Sequence, residues 1–132
     1  AIVGLTFGAN KNHVVRAALE SVAFQVKDVI VAMEKDSGIS LSELKVDGGM
    51  TANSFLMQLI ADLLGVKAIN IGLEEVSALG AAYMAGLGVG EFKGIDDLAA
   101  LHYSQKVFEP SEAAEQIREN YDAWQAMIAK HC

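Results

Sequence analysis

Leu44-Lys45-Val46-Asp47-Gly48-Gly49-Met50-Thr51-Ala52-Asn53 is the stretch on which the fold turns. Leu41 and Leu44 lead into a short strand, Lys45-Val46-Asp47, that stops abruptly at two glycines. A helix follows, with Phe55, Leu56, Leu59, Ile60, Leu63 and Leu64 on its apolar face and Gly65 as its stop. A strand that turns through Gly48-Gly49 into a helix bares backbone N–H groups and a helix N-terminus at one sheet edge, where a ligand can approach main chain without meeting a Cβ. Asn53, four residues after Gly49, is expected on the first helical turn, with a carboxamide able to bond a base or a sugar. The same spacing suits a plain tight turn with Asn53 as helix cap. Spacing alone leaves both readings open.

Upstream, Ala1 to Leu5 reads as a strand end and Thr6 to Asn10 as a loop. Val15, Leu19, Val22, Val26, Val29, Ile30 and Met33 then recur at helical steps, predicting a long helix with one buried stripe, capped by Asn10 or Asn12 and stopped at Gly38. Downstream come a strand over Val66 to Ile71, an acidic loop, and a helix from Ser77 to Gly90 built on Ala78, Gly80, Ala81, Ala82, Ala85, Gly86 and Gly88. So many small residues lead us to expect a neighbouring backbone at close range, with Gly80→Leu destabilising by about 1–3 kcal/mol through overpacking. Past Phe92 the chain changes character: a short helix opened by Asp96-Asp97-Leu98, an extended Lys106-Val107-Phe108, and a last helix after Pro110-Ser111 with Ile117, Tyr121, Trp124, Met127 and Ile128 on one face. We therefore divide the chain at residues 1–92 and 93–132, the second part a helical extension packing on the first. The alternation of helices and strands indicates an α/β domain with its sheet covered by helices.

Composition narrows the function. An apolar content of 52% with one proline in 132 residues supports a packed core and excludes disorder. The formal net charge of −7, with ten scattered basic residues, argues against a nucleic-acid partner. No stretch reaches the roughly 18–20 apolar residues of a membrane span. Cys132 is the lone cysteine, which leaves no disulfide or thiolate metal site and fits a cytoplasmic compartment.

Other chemistry-bearing residues read as structural. His13, His102 and His131 lie in separate elements without metal-ligand spacing, and no metal site is expected. Glu74 and Glu75 suit the start of the small-residue helix, where negative charge is favourable. Asp47 is expected to bond the amides of the glycine turn. Gly86-Leu87-Gly88-Val89-Gly90 ends a helix, where a dinucleotide loop would open one, and is read as a terminator.

These residues carry a resemblance. Ala1-Ile2-Val3-Gly4-Leu5, His13-Val14 and Arg16-Ala17-Ala18-Leu19-Glu20 resemble the second signature of the FGGY carbohydrate kinases without its first glycine. Val46-Asp47-Gly48-Gly49, Thr51-Ala52-Asn53-Ser54-Phe55-Leu56-Met57-Gln58 and Ala78-Leu79-Gly80-Ala81-Ala82-Tyr83-Met84-Ala85-Gly86-Leu87 are most similar to the glycerol-phosphorylating branch of that family. The register is unbroken from Ala1 to about Phe92, with a weaker echo through Phe108 and Pro110. Two departures stand out: Gly72-Leu73-Glu74-Glu75-Val76-Ser77 replaces a usual proline and Thr-Thr or Val-Thr pair, and Phe7 stands where an arginine or small residue is frequent.

The resemblance implies part of the C-terminal, nucleotide-binding lobe of a ribonuclease-H-like, actin-like ATPase domain. It implies ATP as phosphoryl donor, with Mg2+ carried on the nucleotide, and adenosine contacts at Gly49 and Asn53 on a turn formed by Gly48. The polyol, the catalytic base and the phosphate-holding strands are implied to lie in a lobe and segments outside these residues, so no catalytic residue is expected here. Because the chain opens inside a motif and not on methionine, we expect a piece of a longer enzyme, inactive alone; the family also allows a homo-oligomer. The competing reading is a stand-alone, non-catalytic actin-like module that binds a nucleotide or a protein.

Overall fold

The structure, a computed structural model, describes residues 1–73, 75–101 and 105–131. The first long helix, α1 (Lys11–Ser37), spans about 40 Å at 1.5 Å per residue. Asn10 caps it: its side chain accepts from the backbone N–H groups of Asn12 and His13, while the His13 ring accepts from the Asn10 N–H. This gives His13 a structural role. Gly38 ends the helix at φ 70°, the left-handed conformation that costs glycine little.

The chain then forms β1 (Glu43–Val46), a 3₁₀ turn (Gly49–Ala52), α2 (Ser54–Leu64) and β2 (Lys67–Asn70). β1 and β2 are parallel, with Val46 beside Asn70, and α2 is the crossover between them. After α3 (Val76–Val89) and the short α4 (Ile95–Ala99), β3 (Lys106–Phe108) pairs antiparallel to β2, placing Lys106 beside Asn70. The sheet order is β1-β2-β3, and α5 (Ala114–His131) closes the chain.

The core is organised around α2, which packs against α1, α5 and the sheet. Leu56, Met57, Leu59, Ile60, Ala61 and Leu63 are all buried, so this helix is enclosed on nearly every side. Each large apolar side chain so buried contributes roughly 1.5–3 kcal/mol. Phe55 departs from the expected apolar face: it is exposed, with the Arg16 guanidinium over its ring at 5.9 Å. Lys27 donates to the carbonyl of Leu63 at the C-terminal end of α2, where positive charge is favourable.

One polar side chain enters this core. Asp62 is 4% exposed, yet it accepts from the Ser111 N–H at 2.6 Å and from Gln58 Nε2 at 3.0 Å, tying α2 to the segment before α5. Beyond it, Phe24 of α1 meets Tyr121 and Trp124 of α5 at ring distances of 5.7 and 5.4 Å. The Tyr121 hydroxyl donates to Asp28, which also accepts from Gln125. On α5, Ile117 and Tyr121 are buried and Trp124 half-buried, while Met127 and Ile128 at its end are exposed.

Three expectations fail. Ala1–Leu5 forms no strand, because no described segment pairs with it, and Ile2, Val3 and Leu5 are exposed. The α1 stripe is only partly covered: Leu19, Val22, Val26 and Ile30 are half-buried, Val15, Val29 and Met33 are exposed, and the buried residues are Ala23 and Phe24. The small-residue helix α3 has no buried residue, and a Cβ on Gly80 would meet nothing within 4 Å. The predicted overpacking of Gly80→Leu therefore has no basis among the described residues.

The end of α3 behaves as a terminator. Gly90 sits at φ 80°, its N–H bonds back to Gly86 and Leu87, and the Glu91 N–H reaches the Gly86 carbonyl at 2.9 Å. Phe92 folds over this end, edge-on to Tyr83, so close that a Cβ on Gly86 would lie 2.6 Å from its ring. Glu75 stands at the start of α3, in the N-cap position, and makes no side-chain capping bond there. Glu74, His102 and Cys132 lie outside the described residues.

Candidate functional site

Parallel β1 and β2 end at the same sheet edge, the edge at which α/β folds commonly bind ligands. From β1 the chain passes through Gly48, at φ 91° and ψ 169°, a conformation almost confined to glycine. Gly49 then opens the 3₁₀ turn. That turn is held from within: the Thr51 N–H and hydroxyl both reach the Gly48 carbonyl, at 3.0 and 2.7 Å, and the Asn53 N–H reaches the Met50 carbonyl at 3.1 Å. Asp47, expected to bond the amides of this turn, instead has an exposed carboxylate that takes part in no hydrogen bond among the described residues; Thr51 holds the turn from the other side, through the Gly48 carbonyl.

Asn53 is not on the first helical turn. It is the N-cap of α2, at φ −80° and ψ 96°, and its Oδ1 accepts from the Leu56 N–H at 3.2 Å. The Gly-Gly turn reaches α2 through the intervening 3₁₀ turn, so Asn53 is one step earlier than the spacing suggested. Capping uses only one end of the carboxamide; Asn53 is an exposed residue, and its Nδ2 makes no hydrogen bond among the described residues. A Cβ at Gly48 or Gly49 would meet nothing within 4 Å, so the turn lies open to solvent. Gly48, Gly49 and Asn53 are therefore gathered on one short, open turn; the Gly48 N–H is taken by the Leu73 carbonyl, which leaves the Gly49 amide and one carboxamide N–H for a flat polar ligand.

Two further side chains, unnoticed in the sequence, serve this edge. Asn70, the last residue of β2, donates to the Thr51 carbonyl and accepts from the Gly72 N–H. Lys106 of β3 donates to Ser54 Oγ at 2.8 Å, next to Asn53, with its ammonium 4.9 Å over the Phe108 ring. An asparagine closing a strand before a glycine was the only local signal, and Lys106 had none, since both contacts depend on strand register. Two surface depressions lie away from this edge, one along Val22, Val26, Val29 and Ile30 of α1 and another at Leu5–Phe7. Among the described residues no group of His, Cys, Asp or Glu can hold a metal ion, and no helix is long and apolar enough to cross a membrane. No step through a magnesium ion is assigned to this chain.

Comparison with known proteins gives this edge a context. The chain is 50% identical over 127 residues to the glycerol kinase of Aliivibrio fischeri (strain MJ11), covering 96% of this chain and 25% of that protein. It is 50% identical over 124 residues to the glycerol kinase of Fusobacterium nucleatum subsp. nucleatum, covering 94% of this chain and 25% of that protein. It thus spans about a quarter of the length of the curated relatives it matches. Among solved structures, the ligand-bound xylulose kinase from Lactobacillus acidophilus superposes with a TM-score of 0.79 at 20% identity, covering 99% of this chain and 26% of that one. The xylulose kinase from Rhodospirillum rubrum superposes at 0.71 with 27% identity, covering 98% of this chain and 27% of that one. The fold class is thereby α/β, part of a ribonuclease-H-like, actin-like ATPase domain. Residues 1–89, which include the whole Gly48–Asn53 turn, match the model of the C-terminal domain of the FGGY family of carbohydrate kinases, and the chain belongs to that family.

Proposed function

We propose that this chain is the adenosine-holding part of the ATP lobe of a glycerol kinase, an enzyme that transfers the γ-phosphoryl group of ATP to a hydroxyl of glycerol in the cytoplasm. The observation that carries the reading is the open Gly48–Gly49 turn followed by Asn53, whose Nδ2 is free, at the C-terminal edge of two parallel strands. The similarity to glycerol kinases supports glycerol over other polyols. Residues 1–92 form the lobe portion and 93–132 an extension fastened to it, a division supported by the Asp62–Ser111 bond and the aromatic contacts of α5. Phosphoryl transfer depends on holding donor and acceptor in line and on neutralising phosphate charge. In this reading the present residues grip adenosine and supply a rigid frame, while base, polyol site, phosphate clamp and Mg2+ ligands belong to other parts of the enzyme.

The test is Asn53→Ala in the full-length enzyme. Losing one hydrogen bond to the nucleotide costs roughly 0.5–1.5 kcal/mol, so the KM for ATP should rise about two- to twelvefold while the KM for glycerol stays within twofold. Equal changes in both constants would contradict the assignment.

A further inference from the structure

We propose that Asn70 is a positioning residue for the nucleotide: its carboxamide braces the two loops at the sheet edge and so sets the place of Gly49 and Asn53. The inference rests on the adenosine-binding reading above. The loops leave neighbouring parallel strands, one running from Asp47 to Asn53 and the other from Ile71 to Leu73. Their direct backbone links are long, Ile71 N–H to the Val46 carbonyl at 3.3 Å and Gly48 N–H to the Leu73 carbonyl at 3.4 Å. Half-buried Asn70 joins them with both ends of one side chain, Nδ2 donating to the Thr51 carbonyl at 3.2 Å and Oδ1 accepting from the Gly72 N–H at 2.8 Å.

From Thr51 the path is short. Its N–H and hydroxyl hold the Gly48 carbonyl, and the same turn ends in the Asn53 N–H bonded to the Met50 carbonyl. Gly72 takes φ 72°, a turn that would strain any side chain, and it aims its N–H back at Asn70. Lys106, beside Asn70 in the sheet, acts on the other flank by donating to Ser54 Oγ. The row Asn70–Lys106 therefore grips the residues on either side of Asn53, from strands outside its own turn. Asparagine suits the inner position because it offers a donor and an acceptor from one rigid plane.

In the full-length enzyme, Asn70→Asp keeps an acceptor for the Gly72 N–H but sets a carboxylate against the Thr51 carbonyl. It should raise the KM for ATP about five- to tenfold, leaving the KM for glycerol within twofold. Lys106→Met, at an exposed position, should shift the KM for ATP in the same direction by about two- to threefold, and Lys106→Arg, which can still donate to Ser54, should restore it. A purely structural brace would lower the melting temperature and leave the split between the two constants unmoved. If Asn53→Ala raises the KM for ATP and Asn70→Asp does not, the inference is overturned and the adenosine reading stands. If Asn53→Ala also leaves it unchanged, both fall. Should Asn70→Asp fail to fold, Asn70→Ser, too short to span the two loops and adding no charge, decides, and an unchanged KM for ATP in it overturns the proposal.

Discussion

Gly48 and Gly49 are neighbours with different reasons to be glycine. Gly48 takes a backbone conformation that a side chain resists, whereas Gly49 has neither a positive φ nor any atom within 4 Å of an added Cβ. Gly48→Ala should therefore cost about 1–3 kcal/mol of stability, read as a lowered urea midpoint. Gly49→Ala should leave that midpoint within error yet raise the KM for ATP in the full-length enzyme, because the methyl group fills the approach to the turn. Unchanged ATP kinetics in Gly49→Ala would mean that no ligand comes close there. Tyr121 supports a prediction on pH. Burial, followed by its hydrogen bond to Asp28, pushes the phenol up from 10.0 to about 12. The folded chain keeps this proton while the unfolded chain releases it, so stability should fall between pH 10 and 12. Tyr121→Phe should abolish that part of the fall in urea titrations, and a slope identical to the parent's would contradict the raised phenol.

At the scale of elements, what was legible followed from local chemistry, and what was missed depended on distant partners. Gly38, Gly65 and Gly90 all stand at helix ends in the left-handed conformation, and each was readable as a stop from its place after an apolar run. The Gly48–Asn53 segment was equally readable as a turn; whether Asn53 capped or contacted was not, and its Oδ1 and Nδ2 divide those two tasks. By contrast, Ala23 and Phe24 are buried by α2 and α5, which no periodicity within α1 could reveal. The error over α3 has the same origin: small residues invite a partner but do not supply one. Since Gly80 faces open space, Gly80→Leu should now leave the melting temperature of this chain unchanged or slightly higher, through better helix propensity. Asp62 gives the opposite expectation. Asp62→Ala removes the acceptor of both the Ser111 N–H and Gln58 Nε2 and should cost about 1–3 kcal/mol, whereas Asp62→Asn, which retains an acceptor, should cost less. Equal melting temperatures for the two variants would show that the α2–Ser111 link contributes nothing.

On the scale of the molecule, the chain exposes more apolar surface than its own core explains. Ile2, Val15, Val29, Met33 and Val89 all lie open, on an N-terminal segment and two helices that match the family only over about a quarter of a relative's length. In the full-length enzyme we expect much of this surface to be covered, so that Met33 and Met84 oxidise more slowly there than in the chain alone. The chain alone should not release ADP from ATP and glycerol, since in our reading it holds half of the nucleotide cleft and none of the reacting groups. It should still bind ADP and ATP weakly and without preference, with Kd in the high micromolar to millimolar range. The most direct test of the account is an NMR titration of the chain with ADP. It should shift the amides of Gly48, Gly49 and Thr51 and the carboxamides of Asn53 and Asn70, whereas shifts centred on Gly86 to Gly90, with the glycine turn unmoved, would contradict it.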